Sequence, residues 1–215
     1  MKQNNEPYVI IITGSIGTGK STAVDIIKKL GYEVLDSDKI VHDGYNVGRK
    51  MYDEVLNFFG TGIIDCDGKI NRQKLGRIVF SDKEKLMKLN DIVHKFVIEE
   101  LINGVKSCDE NVIFLDIPLV LEEKENLVKF GLYYDEIWLV YVNLNLQKER
   151  LKNRALSENK KPDDVLKIIE KQIPIEMKKS MVDEVLFNEG TIEELKSQIE
   201  KLLKKKVNKF RKVKL

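Results

Sequence analysis

One short segment constrains this chain more than any other. Gly14-Ser15-Ile16-Gly17-Thr18-Gly19-Lys20-Ser21 follows the pattern G-x-x-x-x-G-K-[ST], with Thr22 next. Tyr8–Thr13, just before it, is apolar and β-branched, which predicts a buried parallel strand. After it, Ala23, Val24, Ile26, Ile27 and Leu30 recur at helical spacing, and Gly31 follows as a stop. A strand, a glycine turn and a helix in that order let several backbone N–H groups converge on one anion at the positive end of the helix. Gly14, Gly17, Thr18, Gly19, Lys20, Ser21 and Thr22 form the expected phosphate cradle. Lys20 is expected at the β- and γ-phosphates of a nucleoside triphosphate, and the Ser21 hydroxyl on Mg²⁺. The spacing is not G-x-G-x-x-G, so a dinucleotide-dependent hydride transfer is disfavoured.

The rest of the chain alternates in a way that suits such a loop. Glu33–Asp36, Val112–Asp116, Glu136–Val142 and Glu184–Asn188 read as further short strands. Helical patterns separate them, which predicts a five-stranded parallel sheet covered on both faces. Asp38 is a candidate cap for the helix after the second strand. From Lys39 to Lys106 the pattern is mostly helical, with apolar clusters at Val55, Leu56, Phe58 and Phe59 and at Leu86, Leu89, Ile92, Val93, Phe96, Val97 and Leu101. Asp67-Gly68 between them is a turn signal. Leu146–Arg154 opens a helix, Ser157–Asp163 reads as a loop, and Val165–Lys179 is helical with a break at Pro174. Ile192–Lys206 is a last amphipathic helix.

Composition sets the outer limits. At 215 residues, 42% hydrophobic and 33% charged, the chain is globular and long enough for one α/β domain with insertions. No apolar run approaches the roughly 18 residues of a membrane span, and Met1–Pro7 is polar, so a cytoplasmic protein without a membrane partner is expected. Cys66 and Cys108 fit no metal spacing and are read as reduced thiols. The net charge of +2 excludes nothing, but Lys201–Leu215 holds seven lysines, one arginine and no acid. With no aromatic interleaving beyond Phe210, it reads as the solvated end of the last helix and not as a nucleic-acid platform.

The loop alone fits ATP or GTP. Asp65-Cys66-Asp67-Gly68 matches D-x-x-G, and Asn159-Lys160-Lys161-Pro162-Asp163 misses the guanine-reading N-K-x-D by one residue. The first falls in a turn and the second in a polar loop, so both are read as coincidence and ATP is the expected nucleotide. Ligands of open parallel sheets bind beyond the carboxyl ends of the strands. Asp36 and Asp116 close two strands there, where a carboxylate can accept a hydroxyl proton or hold Mg²⁺; capping a helix is the competing use. Arg150 and Arg154, four apart, share a helix face from which arginines could close over a triphosphate, unless they form only a solvated basic face.

Together these motifs resemble those of the dephospho-coenzyme A kinase family, over roughly Val9 to Leu203. Thr13–Thr22 is similar to its T-G-G-I-G-S-G-K-S-T. Leu35-Asp36-Ser37-Asp38 resembles its (I/L)-D-A-D, and Asp67-Gly68-Lys69-Ile70-Asn71-Arg72 its D-G-x-I-D-R. Leu89–His94 is similar to L-N-x-I-(V/I)-H, and Asp116-Ile117-Pro118-Leu119-Val120-Leu121-Glu122 to D-x-P-L-L-F-E. Gln172, Pro174, Lys178, Asp183 and Asn188-Glu189-Gly190 match the order of its later motifs. The resemblance implies a P-loop kinase fold of three layers. The nucleotide core would lie at 7–38, 111–145 and 182–206, a helical substrate domain at 39–110, a lid at 146–181 and a basic tail at 207–215. It implies transfer of the γ-phosphate of ATP, with Mg²⁺, to the ribose 3′-hydroxyl of dephospho-coenzyme A. Asp36, Lys20, Arg150 and Arg154 would be catalytic, Asn188 would lie near the adenine, and Ser21 and Asp116 would hold the metal. Asp36, Arg72, His94, Asp116 and Pro118 would face dephospho-coenzyme A. A kinase for another small metabolite or a nucleotide is the alternative, and a monomer is the favoured state. The chain departs from the pattern at His42, where the family usually has arginine, and at Lys95, where it usually has proline.

Overall fold

A computed structural model describes residues 6–213, with backbone alone at 163–164 and 207–213. The start at 1–5, the last two residues and the side chains of the tail expected at 207–215 lie outside the described residues. The strands are β1 (Tyr8–Thr13), β2 (Glu33–Asp36), β3 (Val112–Asp116), β4 (Glu136–Tyr141) and β5 (Glu184–Phe187). They form one parallel sheet in the order β2-β3-β1-β4-β5. β1 sits centrally, paired from Tyr8 opposite Val112 to Ile12 opposite Asp116 on one side. On the other it runs from Ile10 opposite Glu136 to Thr13 opposite Leu139.

The helices are α1 (Lys20–Lys29), α2 (Ser37–Gly44), α3 (Lys50–Phe59), α4 (Arg72–Phe80), α5 (Lys83–Ser107), α6 (Lys124–Lys129), α7 (Leu144–Ser157), α8 (Pro162–Glu170), α9 (Ile175–Lys178) and α10 (Ile192–Val213). α1 and α10 bury Ala23, Val24, Ile27, Leu195 and Ile199 against Ile10, Ile12, Phe114, Trp138 and Val140. Each such side chain is worth about 1.5–3 kcal/mol on leaving water. Phe114 and Trp138 meet edge to face at 5.4 Å, a contact that fixes ring orientation as well as area. The neighbouring cluster of Leu139, Tyr141 and Ile175, with Val182 and Val185, anchors α9.

The chain divides into two compact units. The first takes in the residues up to Leu35, Val105–Lys124 and everything from Tyr133 on. The second consists of Asp36–Gly104 and Glu125–Leu132. Within the second, Gly44 lies against Phe96 and Met51, and the Tyr52 hydroxyl donates to the Gly68 carbonyl at 2.5 Å. The Asp67-Gly68 turn closes a bridge between Ile64 and Ile70, with Gly68 at φ +79°.

Several boundaries differ from the sequence reading. Asp36, not Asp38, caps α2: its Oδ1 accepts the Lys39 N–H at 3.0 Å. α7 starts two residues early because Asn143 caps it, accepting from the Leu146 N–H at 3.0 Å. Pro162 opens α8 and does not sit in the loop, since a helix's first turn needs no proline N–H. α10 runs on to Val213. α6 is too short to leave a periodic pattern and was not foreseen.

Candidate active site

Gly14 to Lys20 joins β1 to α1, with Gly17 and Gly19 at φ +82° and +81°, a left-handed backbone that costs glycine little. Thr18 is buried, and its hydroxyl donates to the Ser15 carbonyl at 2.9 Å. A Cβ added at Gly14 would come within 2.6 Å of the Thr18 Oγ1. The threonine therefore braces the loop from inside. Lys20 forms an ion pair with Asp116, the last residue of β3, whose side chain is 8% exposed. Thr13 donates through Oγ1 to the Pro118 carbonyl at 2.9 Å, tying the end of β1 to the segment after Asp116.

α7 forms a wall beside the loop. A Cβ at Gly17 would meet Leu151 Cγ at 2.8 Å. Gln147 is buried, and its Nε2 donates to the Ile16 carbonyl at 2.7 Å. Arg150 donates to the Asn188 carbonyl at 2.9 Å, and the Asn188 Nδ2 donates to the Thr18 carbonyl at 2.8 Å. Asn188, expected near the adenine, thus has its amide on the phosphate loop. Residues 147, 150, 151 and 154 lie on one helix face, but the face changes character along its length. Arg154 is 62% exposed and pairs with Glu158 at 2.7 Å. Lys160 and Arg154 hold the Glu158 carboxyl down to about 2.

Two of the motif segments behind the resemblance also meet each other. Glu122 Oε1 lies 2.7 Å from the Lys178 Nζ, which is wholly buried. The same oxygen accepts the Ile173 N–H at 3.1 Å. Gln172, next to Ile173, accepts the Ile16 N–H at 3.2 Å. The sequence reading missed Gln147; its only signal was an uncharged polar residue one turn before Arg150 on a helix otherwise rich in charge.

In the second unit, Asp36 caps α2 as described. Arg72 stands at the start of α4, its guanidinium 4.9 Å from the Tyr45 ring centre, a cation–π distance. Burial pushes the Tyr45 phenol up, and Arg72 opposes that in part. His94 Nδ1 lies 3.0 Å from the Asn126 Nδ2. Asn126 sits on α6, and no motif or spacing marked it. His42 is exposed and lies 3.8 Å from Asp43; Lys95 is exposed.

A glycine-lined anion loop, a lysine paired with a strand-end carboxylate and an arginine on the flanking helix define a P-loop phosphotransferase. The model of one family, CoaE: dephospho-CoA kinase, matches residues 8–194. The dephospho-CoA kinase of Aquifex aeolicus (strain VF5) is 40% identical over 193 residues, spanning 89% of this chain and 93% of that protein. Dephospho-CoA kinase from Campylobacter jejuni superposes with a TM-score of 0.63 at 25% identity, covering 91% of this chain and 95% of that one. The crystal structure of TT1252 from Thermus thermophilus gives a TM-score of 0.75 at 29% identity, covering 93% and 98%. The chain belongs to the dephospho-CoA kinase family, whose enzymes phosphorylate dephospho-CoA in the last step of coenzyme A biosynthesis. As a kinase of this family it uses ATP as co-substrate. Among the described residues, no helix is long and apolar enough to cross a membrane.

Proposed function

We propose that the phosphate leaving ATP is received by the ribose 3′-hydroxyl of dephospho-coenzyme A, with Asp36 accepting the proton of that hydroxyl. The observation that carries this reading is the part-buried Lys20–Asp116 pair at the head of a phosphate loop in a chain of this family. A lysine held there by a carboxylate can exchange it for the β- and γ-phosphates. Asp36 closes β2 and uses one oxygen as a cap; a carboxylate has a second, which can take the hydroxyl proton. Arg150 and Arg154 would neutralise charge on the transferred group from a lid at 146–181. Arg72 and His94 would face dephospho-coenzyme A from a substrate domain at 39–110.

The residues also suit Mg²⁺. No group of three or more His, Cys, Asp or Glu is gathered to hold a metal among the described residues. Mg²⁺ beside a phosphate loop takes most of its ligands from phosphates and water, so Ser21 and Asp116 would suffice. When bound, the ion would neutralise charge on the β- and γ-oxygens.

The test is direct. Purified protein given ATP, Mg²⁺ and dephospho-coenzyme A should yield coenzyme A and ADP in equal amounts. The reading fails if dephospho-coenzyme A is left untouched while another small metabolite or a nucleotide is phosphorylated.

A further inference from the structure

The two peptide groups that flank the Ile16 Cα are each held by a glutamine side chain from outside the loop. Gln147, in the first turn of α7, donates to the Ile16 carbonyl at 2.7 Å. Gln172, after α8, accepts from the Ile16 N–H at 3.2 Å. Ile16 lies inside the loop between Gly14 and Lys20, so a rotation of either peptide would redirect N–H groups of the loop. Glycines at 14, 17 and 19 leave the loop little stiffness of its own. Gln147 is wholly buried, and its Oε1 has no hydrogen-bond partner among the described residues. A buried amide that leaves one polar atom unsatisfied costs free energy. A buried amide whose donor is spent on the loop's backbone fits a role in shaping the loop better than a role in packing.

We propose that Gln147 and Gln172 are positioning residues that set the orientation of the two peptides flanking Ile16 and thereby tie the ATP-binding loop to the α7–α8 segment. This rests on the loop being the nucleotide site, as in the function proposed above, but not on which acceptor is used. Neither side chain needs to touch the reacting atoms. Gln172 supplies an acceptor and Gln147 a donor, so the two should respond oppositely to the same substitution. Gln172→Glu keeps a carboxyl oxygen for the Ile16 N–H. Gln147→Glu removes the N–H₂ donor and sets an anionic oxygen against the Ile16 carbonyl.

The experiment measures binding of the non-hydrolysable analogue AMP-PNP with Mg²⁺ by calorimetry, together with hydrogen exchange of the segment holding Ile16. Gln147→Glu, Gln147→Leu and Gln172→Leu should each weaken AMP-PNP binding by roughly tenfold to a hundredfold and speed exchange at Ile16. Gln172→Glu should stay within about threefold of the wild type. In steady state the KM for ATP should rise, with the KM for dephospho-coenzyme A unchanged. The proposal is overturned if Gln147→Glu binds AMP-PNP as the wild type does, or if Gln172→Glu and Gln172→Leu lose equally. Should the buried Gln147 variants fail to fold, the Gln172 pair decides alone. Wild-type protein that binds AMP-PNP yet ignores dephospho-coenzyme A would refute the proposed acceptor and leave this inference standing.

Discussion

The two ends of the central strands are built from similar residues and put to different uses. At the amino ends, Glu136 accepts from the Tyr8 hydroxyl at 2.7 Å and the Trp138 Nε1 at 3.0 Å, and pairs with Lys206 of α10. Asp135 accepts the Val9 N–H and Asp183 the Ile137 N–H, each at 2.8 Å. Carboxylates there are matched to donors of the chain itself, and they fasten strands and the last helix together. At the carboxyl ends, the polar groups lie around a loop made to receive an anion. Ser15 Oγ and Gln147 Oε1 are buried there without hydrogen-bond partners among the described residues. A folded chain can therefore keep its electrostatic anchoring and its chemistry on opposite edges of one sheet. Substitutions at each edge should then separate stability from rate.

The largest effect is expected at Asp36. Asp36→Asn should lower kcat by about 10²–10⁴ if this carboxylate is the base. Asparagine caps a helix as well as aspartate does, so thermal unfolding should hardly move. Asp36→Ala should lose the rate and also about 1 kcal/mol of stability. Near wild-type turnover by the asparagine variant would remove the role. At the other edge, Lys206→Met should leave kcat unchanged but cost about 1–2 kcal/mol, a fall in Tm of a few degrees.

That loss should depend on pH. Burial pushes the Glu136 carboxyl up, but its hydrogen bonds from Lys206, Trp138 and Tyr8 outweigh this and hold it below the ordinary carboxylate range. Its contribution is therefore present above the usual carboxylate pKa and fades as pH falls through the depressed value. Burial lowers the Lys206 ammonium, yet Glu136 and Glu184 more than reverse that. Its contribution is present below the usual lysine pKa and fades as pH rises past the raised one. The gap in Tm between wild type and Lys206→Met should thus be widest between about pH 5 and 10. A gap that is constant down to pH 2 would show that packing, not charge, is what Lys206 supplies.

The smallest effect is expected at Glu158, whose carboxylate pairs with Arg154 at the surface. Glu158→Gln should raise kcat/KM for ATP by at most about threefold, because an exposed pair is weak. The gain should shrink in high salt. A fall in kcat/KM would mean that Arg154 works from its pair with Glu158.

Much of this contrast could be read before any coordinates. β1, β2 and β3 fall at the expected residues, because buried parallel strands are short apolar runs with little else to confuse them. The phosphate loop follows from its glycines. Other features could not be read, for identifiable reasons. Asp36 and Asp38 are both good caps, and only the observed bond to the Lys39 N–H chooses between them. Gln147 and Asn126 act through single hydrogen bonds across long separations in the chain, and neither leaves a period or spacing. Lys178, wholly buried, is the opposite of what its charge suggests; its partner Glu122 lies in a distant segment. Arg150 and Arg154 share a face, as the spacing requires, but spacing says nothing of Glu158 competing for one of them.

Leu151 fills the space where a side chain at Gly17 would go. A side chain at 17 would need the leucine trimmed at the same time, and would still have to accept a φ of +82°. In a population of descendant sequences, the loop and α7 should thus be inherited as a matched pair. Chimeras that take residues 14–22 from one relative and 144–157 from another should be poorer enzymes than either parent. A graft that carries both segments together should recover the lost activity.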